Sequence, residues 1–267
     1  MNIGKYVELY SEDLKLKNYA QNTIENYANQ VRLFLNHFDK TATKPSEISE
    51  KQIKEWLLLA NSINGRKHRI SAVKLFYRLT VNQPLKFRHI EYPKAEKKLP
   101  RVIDRDFLIE RIGAIENLKH KSIIALAYST GMRISEVCNL KIADIDSQRM
   151  IIYVKNAKGR KDRIVPLSQY VLDTLRAYYR QYKPKEYLFN GQFDLQYSPR
   201  SCNEIVKKYL GEANHFHLLR HSSFTALLES GTDLRIIQKL AGHSSSKTTE
   251  IYTHVSRNLI NKVATPI

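Results

Sequence analysis

Tyr252 stands nine residues after His243 in the segment AGHSSSKTTEIYTHV, and upstream lie His217-Leu218-Leu219-Arg220 and Thr130-Gly131-Met132-Arg133. Tyr252, Arg133, Arg220, His217 and His243 supply one phenol, two guanidiniums and two imidazoles in the last half of the chain. Their chemistry fits a phosphodiester. Such a group carries one negative charge, and attack on it adds more to the non-bridging oxygens. Two arginines can each offer a forked pair of donors there. Imidazoles add further donors, and a phenol can form a covalent intermediate. The order and spacing of the set carry the signal, because every member alone has a plainer reading.

Those plainer readings stay open residue by residue. Arg133 and Glu136 are three apart at an expected helix start, so they share a face. Glu136 can brace a neighbouring catalytic side chain, or the two can form an ordinary surface ion pair. His217 and Arg220 repeat the spacing, facing either one phosphate or solvent. His217 and His221 lie four apart, as in a zinc site, but the Glu of HExxH is absent and no nearby thiolate or carboxylate completes a ligand set. No metal and no cofactor is expected. Lys158 sits in an expected turn, where it can push an ammonium into a groove or remain solvated like Lys155 and Lys161. Tyr252 is one of 16 tyrosines and by itself would be a packing residue.

Several elements must bring these groups together. Alternating and clustered β-branched residues at 149–154 and 163–167 flank NAKGRKD, which predicts a β-hairpin with Gly159 near its turn. Helices are expected near 104–112, 119–129, 168–181, 201–210, 217–229, 233–241 and 247–253, with a short one near 257–263. Residues 1–80 read as helix after helix. Tyr6, Leu9 and Tyr10 are expected on one face, then Ile24, Tyr27, Val31, Phe34, Leu35 and Phe38 on another. Ser49 with Gln52 forms a possible capping box, opening a helix through Ile53, Trp56, Leu57 and Ala60. A fourth helix carries Ile70, Val73, Phe76 and Tyr77, with Arg66, Lys67, Arg69, Lys74 and Arg78 as a basic face suited to a DNA backbone or simply to solvent. Residues 82–101 hold three of the eight prolines and six basic residues with little periodicity, and read as a linker. The expected fold is mainly α with a small β-hairpin or sheet, α+β in class. It has a helical domain over 1–81 and a second domain over 102–267.

The formal charge is +18, from 44 Lys+Arg against 26 Asp+Glu. Residues 1–95 hold 16 basic and 9 acidic side chains, and 96–267 hold 28 and 17. Both parts are basic, which favours two lobes on one polyanion over a neutral domain with a basic tail. Cys138 and Cys202 are the only cysteines, too few for a disulfide framework and suited to a reducing compartment. The start, MNIGKYVELYSEDLK, has no apolar h-region, and the longest apolar runs are far too short to cross a bilayer. Cytoplasmic residence and no membrane partner are expected.

With TGMRISEVCNL, VKNAKGRKDRIVPL, HFHLLRHSSFTALLESG, IIQKLAGHSS and TTEIYTHV in that order, the chain resembles the tyrosine site-specific recombinases, the phage-integrase and Xer group, over essentially its whole length. The resemblance puts the family's catalytic positions on Arg133, Lys158, His217, Arg220, His243 and Tyr252, and makes 102–267 the catalytic domain. The N-terminal part looks like the helical, SAM-like core-binding domain. It implies attack by Tyr252 on a scissile phosphate, a 3′-phosphotyrosyl link and a Holliday junction, with neither ATP nor metal. Lys158 would protonate the leaving oxygen, His217 would accept the phenolic proton, His243 would donate to the phosphate and Glu136 would support. Arg66, Lys67, Arg69, Lys74, Arg78, Arg160 and Lys161 are the candidate DNA contacts.

The implied partners are double-stranded DNA at a specific recombination site and further copies of the chain, a dimer per site and a tetramer in synapsis, with exchange of C-terminal tails. Two departures, AGHSS for the commoner LGHSS and Ser223 where an aromatic often follows, leave the chemistry untouched. The resemblance leads to the expectation of no additional arm-site-binding domain, and with it of a simple target site. Type IB topoisomerase chemistry and a non-enzymatic DNA-binding regulator with the same fold are the alternatives.

Overall fold

A computed structural model describes residues 1–94, 101–155, 162–192, 195–243 and 247–253. The chain divides into two units, Met1–Lys97 and Lys98–Ile267. The first contains helices α1 (Ile3–Leu16), α2 (Gln21–Phe38), α3 (Glu50–Leu58) and α4 (Ile63–Leu79), with 3-10 turns at Pro45–Glu47 and Pro84–Phe87. Three of these helices start at a side-chain oxygen that takes up an orphan amide: Asn2, Ser49 and Ser62 accept from Lys5, Gln52 and Gly65. The capping box forms, with the Ser49 amide donating to Gln52 Oε1 at 2.8 Å. Helix α2 buries Ile24, Ala28, Val31, Phe34, Leu35 and Phe38, and the Phe34 ring meets Trp56 edge-on at 5.1 Å. The buried phenols of Tyr10 and Tyr77 donate to the carbonyls of Ala72 and Pro45, and burial pushes both hydroxyls well above their ordinary pKa.

Two expectations for this unit change. The buried stripe of α1 is Val7, Tyr10 and Leu14, whereas Leu9 is 41% exposed and Tyr6 packs only in part. Both tyrosines reach α4, where the Tyr6 and Tyr10 rings meet Phe76 edge-on at 6.3 Å and 5.5 Å, and Leu9 alone of the three stays outside. Within the segment read as linker, Phe87 and Ile90 are buried in the N-terminal core, with the Phe87 ring 5.5 Å from that of Tyr77. The first core therefore extends beyond residue 81, carried by anchors in a proline-bounded turn that shows no period.

The second unit comprises α5 (Arg105–Ala114), α6 (Leu118–Thr130), α7 (Ile134–Cys138), strands β1 (Ile145–Asp146), β2 (Ile151–Val154) and β3 (Arg163–Pro166), then α8 (Gln169–Tyr182), α9 (Pro199–Leu210), α10 (Phe216–Glu229), α11 (Leu234–Ala241) and α12 (Lys247–Glu250). The hairpin strands pair antiparallel with Ile152 opposite Val165, and β1 adds a third strand that the pattern did not announce. Gly159 and the expected helix at 257–263 lie outside the described residues.

Helix α6 runs through the centre and buries Ile123 to Ala127 as a continuous block. It ends at Gly131 with φ +62°, where a Cβ would come 2.5 Å from the Phe224 ring. Only glycine satisfies both the left-handed cap and that contact. Cys138 and Cys202 are buried free thiols with sulfurs 3.6 Å apart. No described helix is long and apolar enough to cross a membrane.

Candidate active site

Arg133 is the N-cap residue of α7, held just past the Gly131 turn. Its amide donates to Glu136 Oε2 at 2.7 Å and its Nη1 to Oε1 at 2.9 Å. The pair is therefore no ordinary surface ion pair, because the Glu136 side chain is 4% exposed. Burial alone would raise the Glu136 carboxyl. Hydrogen bonds and charge from Arg163, together with the Arg133 backbone and side chain, reverse that effect and hold it at about 2.

Arg220 projects from α10 and is 2% exposed. Its Nη1 donates to the Gly131 carbonyl at 2.5 Å and its Nη2 to the Ala241 carbonyl at 2.6 Å. Nη2 also lies 3.1 Å from His243 Nε2, and the guanidinium stacks 4.8 Å over the Phe224 ring. Burial, and then the charge of Arg133, lower its pKa to about 10, so it is still a cation at neutral pH. His243 follows the left-handed Gly242 that ends α11, and its Nδ1 lies 3.0 Å from the Oγ1 of the fully buried Thr249. Burial and the neighbouring arginines lower His243 to about 4.

Tyr252 is 1% exposed and packs with Phe224, Leu228, Ile237 and Ala241. Its ring lies 5.6 Å from Phe224 and 5.7 Å from His221. Burial raises the phenol, while Arg220 and Arg133 pull it back down. A protonated phenol beside two guanidiniums would need a proton acceptor to attack a phosphorus. His217 opens α10 with its ring 4.7 Å from that of His221, and desolvation followed by the charges of Arg220, His215 and Arg133 lowers its pKa. A histidine kept neutral in this way can accept a proton. Among the described residues, no group of His, Cys, Asp and Glu is placed to hold a metal ion.

Arg133, Glu136, Arg220, His243, Tyr252 and His217 thus come together from three distant segments. Lys158, Arg160 and Lys161 lie outside the described residues. Lys155 is not a free turn lysine, since its Nζ is 2.6 Å from the buried Asp144 carboxylate. The five basic residues of α4 do not form one face. Lys67, Lys74 and Arg78 share a side of the helix. Arg69 turns away, placing its guanidinium 4.5 Å over the Trp56 ring and donating to the Trp56 carbonyl. Arg66 Nε is buried with no hydrogen-bond partner among the described residues.

Arg163 is the residue that sequence reasoning missed. It sits at the first position of β3 and its side chain is 7% exposed. A signal was present. The alternation that puts Val165 inside and leaves Ile164 51% exposed also turns Arg163 inward.

Residues 106–258 match the family described as the phage integrase family, and residues 7–87 match its N-terminal SAM-like domain. The tyrosine recombinase XerC of Bacillus subtilis is 30% identical over 97% of this chain and 94% of its own length. A crystal structure of XerA recombinase is similar over 98% of this chain and 97% of that one, with a TM-score of 0.56 and 29% identity. The fold also matches the XerH site-specific recombinase bound to a palindromic difH substrate in a post-cleavage complex, over 96% of this chain and 83% of that one, with a TM-score of 0.73 and 23% identity.

Proposed function

This chain belongs to the phage integrase family and is a tyrosine recombinase, and from that premise we propose that Tyr252 cuts and rejoins DNA at a specific site through a 3′-phosphotyrosyl intermediate. One observation carries the reading. The buried Arg220 guanidinium is held by the carbonyls of Gly131 and Ala241 and touches His243, so three segments converge on one cation beside Tyr252.

In the first step the Tyr252 oxygen bonds to the scissile phosphorus as the bond to the 5′-oxygen breaks. The phenolic proton passes to His217, and Lys158 gives a proton to the departing 5′-oxygen. Arg133 and Arg220 take up the charge that grows on the non-bridging oxygens. In the second step a 5′-hydroxyl of the partner strand attacks the phosphotyrosyl phosphorus and releases Tyr252. Two such rounds pass through a Holliday junction. The ester conserves the bond energy, so the scheme calls for neither ATP nor metal.

On this reading both basic units contact double-stranded DNA, the N-terminal one through Lys67, Lys74 and Arg78. Two copies occupy one site and four form the synapse, exchanging tail residues 253–267, and the protein works in the cytoplasm. The relative XerH, solved on its difH substrate, supports the choice of DNA as partner.

The test is Tyr252→Phe, which removes one oxygen and keeps the ring. The variant should bind duplex DNA as the wild type does and form no adduct that survives denaturation on a nicked duplex. A wild-type level of adduct would transfer the nucleophile to another tyrosine. Product analysis then separates strand exchange from same-strand religation by a topoisomerase.

A further inference from the structure

Among the described residues of the second unit, a buried polar cluster centres on Arg163. Its Nη1 donates to Glu136 Oε1 at 2.8 Å and its Nη2 to Oε2 at 2.7 Å, a fork lying along the carboxylate. Its Nε donates to the Leu240 carbonyl at 2.7 Å. Glu136 also holds Arg133 through Oε1 and Oε2. One carboxylate thus binds two arginines, and the second arginine reaches on to the end of α11.

That end needs partners, because the last carbonyls of a helix have no amide of their own. Arg163 takes the carbonyl of Leu240 and Arg220 takes that of Ala241. Gly242 follows directly, and a Cβ added there would come 3.3 Å from Arg163 Cδ. The loop that carries His243 therefore rests against the Arg163 side chain. We propose that Arg163 is a positioning residue that sets Arg133 and His243 in one phosphate-facing arrangement without touching the phosphate.

Two effects follow, both resting on the recombinase reading above. Arg163 fixes the spacing between the start of α7 and the end of α11. It also saturates Glu136, which leaves the remaining N–H groups of Arg133 for DNA. With Arg163 gone, the freed lone pairs of Glu136 compete with the phosphate for the Arg133 guanidinium. Lysine cannot replace it, because one ammonium cannot straddle a carboxylate and reach Leu240 as well.

The experiment compares Arg163→Lys with wild type in single-turnover adduct formation on two nicked duplexes. One carries the ordinary scissile phosphodiester and the other a methylphosphonate, which lacks the charge that Arg133 balances. The variant should bind DNA within about threefold of wild type, and lose about 10²-fold in adduct formation on the diester. On the methylphosphonate the loss should shrink to under about tenfold, because that substrate no longer depends on a well-set guanidinium. Activity within about threefold of wild type on the diester, or equal losses on both substrates, overturns the assignment. If Arg163→Lys fails to fold, Arg163→Gln, which keeps an N–H donor for Glu136 but cannot also reach the Leu240 carbonyl, enters the same comparison with the same criteria. Absence of any adduct from the wild type on the diester would instead count against the recombinase reading.

Discussion

Arg220 Nη2 lies 3.1 Å from His243 Nε2, and a guanidinium has no lone pair to offer. The imidazole nitrogen that faces it is therefore the acceptor. Nδ1 then carries the proton and donates to Thr249 Oγ1 at 3.0 Å. In the DNA-free protein His243 is thus a neutral imidazole whose lone pair is occupied by Arg220. In the proposed mechanism a phosphate that took over Nη2 of Arg220 would release that lone pair, and the ring would have to take up or shift a proton before it could donate to DNA.

This arrangement has a pH signature. His243 and His221 are both lowered from 6.5 to about 4, chiefly by burial. Between those values the unfolded chain binds protons that the folded one refuses, so stability rises with pH across the window. The melting temperature should be flat above about pH 7 and fall as the pH drops from 6.5 towards 4, where Glu136, held at about 2, begins to add its own loss below 4.5. His221→Phe removes a group whose Nδ1 has no hydrogen-bond partner among the described residues, and should make the decline visibly shallower. A decline of unchanged steepness in that variant would remove His221 from the account.

Lys158 is separable from its neighbours by its leaving group. An alkoxide departs poorly without a proton, whereas a thiolate leaves readily. Lys158→Ala should cleave ordinary DNA about 10²–10⁴-fold more slowly than wild type, yet cleave DNA with a bridging 5′-sulfur at nearly the wild-type rate. Lys155→Ala should show a small loss that sulfur does not rescue, since its ammonium is tied to Asp144. Rescue of Lys161→Ala instead would move the acid to that residue.

The N-terminal contact should be sensitive to salt. If roughly 6–10 phosphates are neutralised, affinity should fall ~10³–10⁵-fold between about 50 and 200 mM salt. Lys74→Ala and Arg78→Ala, both exposed on α4, should each reduce the slope of log affinity against log salt by about 1. Arg69→Ala should leave the slope alone and lower stability by about 1 kcal/mol, because its cation packs on Trp56. A chain cut to residues 98–267 should bind much more weakly than the whole protein; undiminished binding would assign the contact to the second unit alone.

Gly131 carries two demands at once, a φ of +62° and a Cβ position 2.5 Å from the Phe224 ring. Gly131→Ala should cost at least about 2 kcal/mol of stability in denaturant melts. It should also slow adduct formation by more than the loss of folded protein explains, because the Gly131 carbonyl holds Arg220. Gly113→Ala is the control. Nothing lies within 4 Å of its added Cβ, so stability should hold or rise by about 0.5–1 kcal/mol.

Much of this molecule was legible in the sequence where one physical signal dominates. Helix α2 buries its expected stripe apart from Tyr27, which is only partly buried, because an apolar side chain at every third or fourth position has one face to bury. The ordered motifs led to Arg133, His217, Arg220, His243 and Tyr252, which the fold does bring together. Other features depend on partners that local patterns do not contain. Leu9 has the right spacing but stays 41% exposed, and Arg69 belongs to a basic run but is captured by Trp56. Two-residue β1 is too short to show any alternation. Phe87 and Ile90 sit among prolines, where aperiodicity reads as linker although each fills a core. Arg163 was hidden because a charge is expected outside, and its partners, Glu136 27 positions away and the Leu240 carbonyl, make the inside habitable.

The two arginines at the end of α11 hold backbone oxygens, those of Leu240 and Ala241. Every residue type supplies the same carbonyl, so the attachment is indifferent to which side chains occupy those positions. It is not indifferent to counting. One residue inserted or deleted between Ala241 and His243 would swing the imidazole away from the Arg220 guanidinium that the Ala241 carbonyl holds. The carbonyl bonds therefore constrain the length of this stretch, while its composition is constrained separately, by the burial of Ala241 against Tyr252 and by the glycine that the left-handed turn requires.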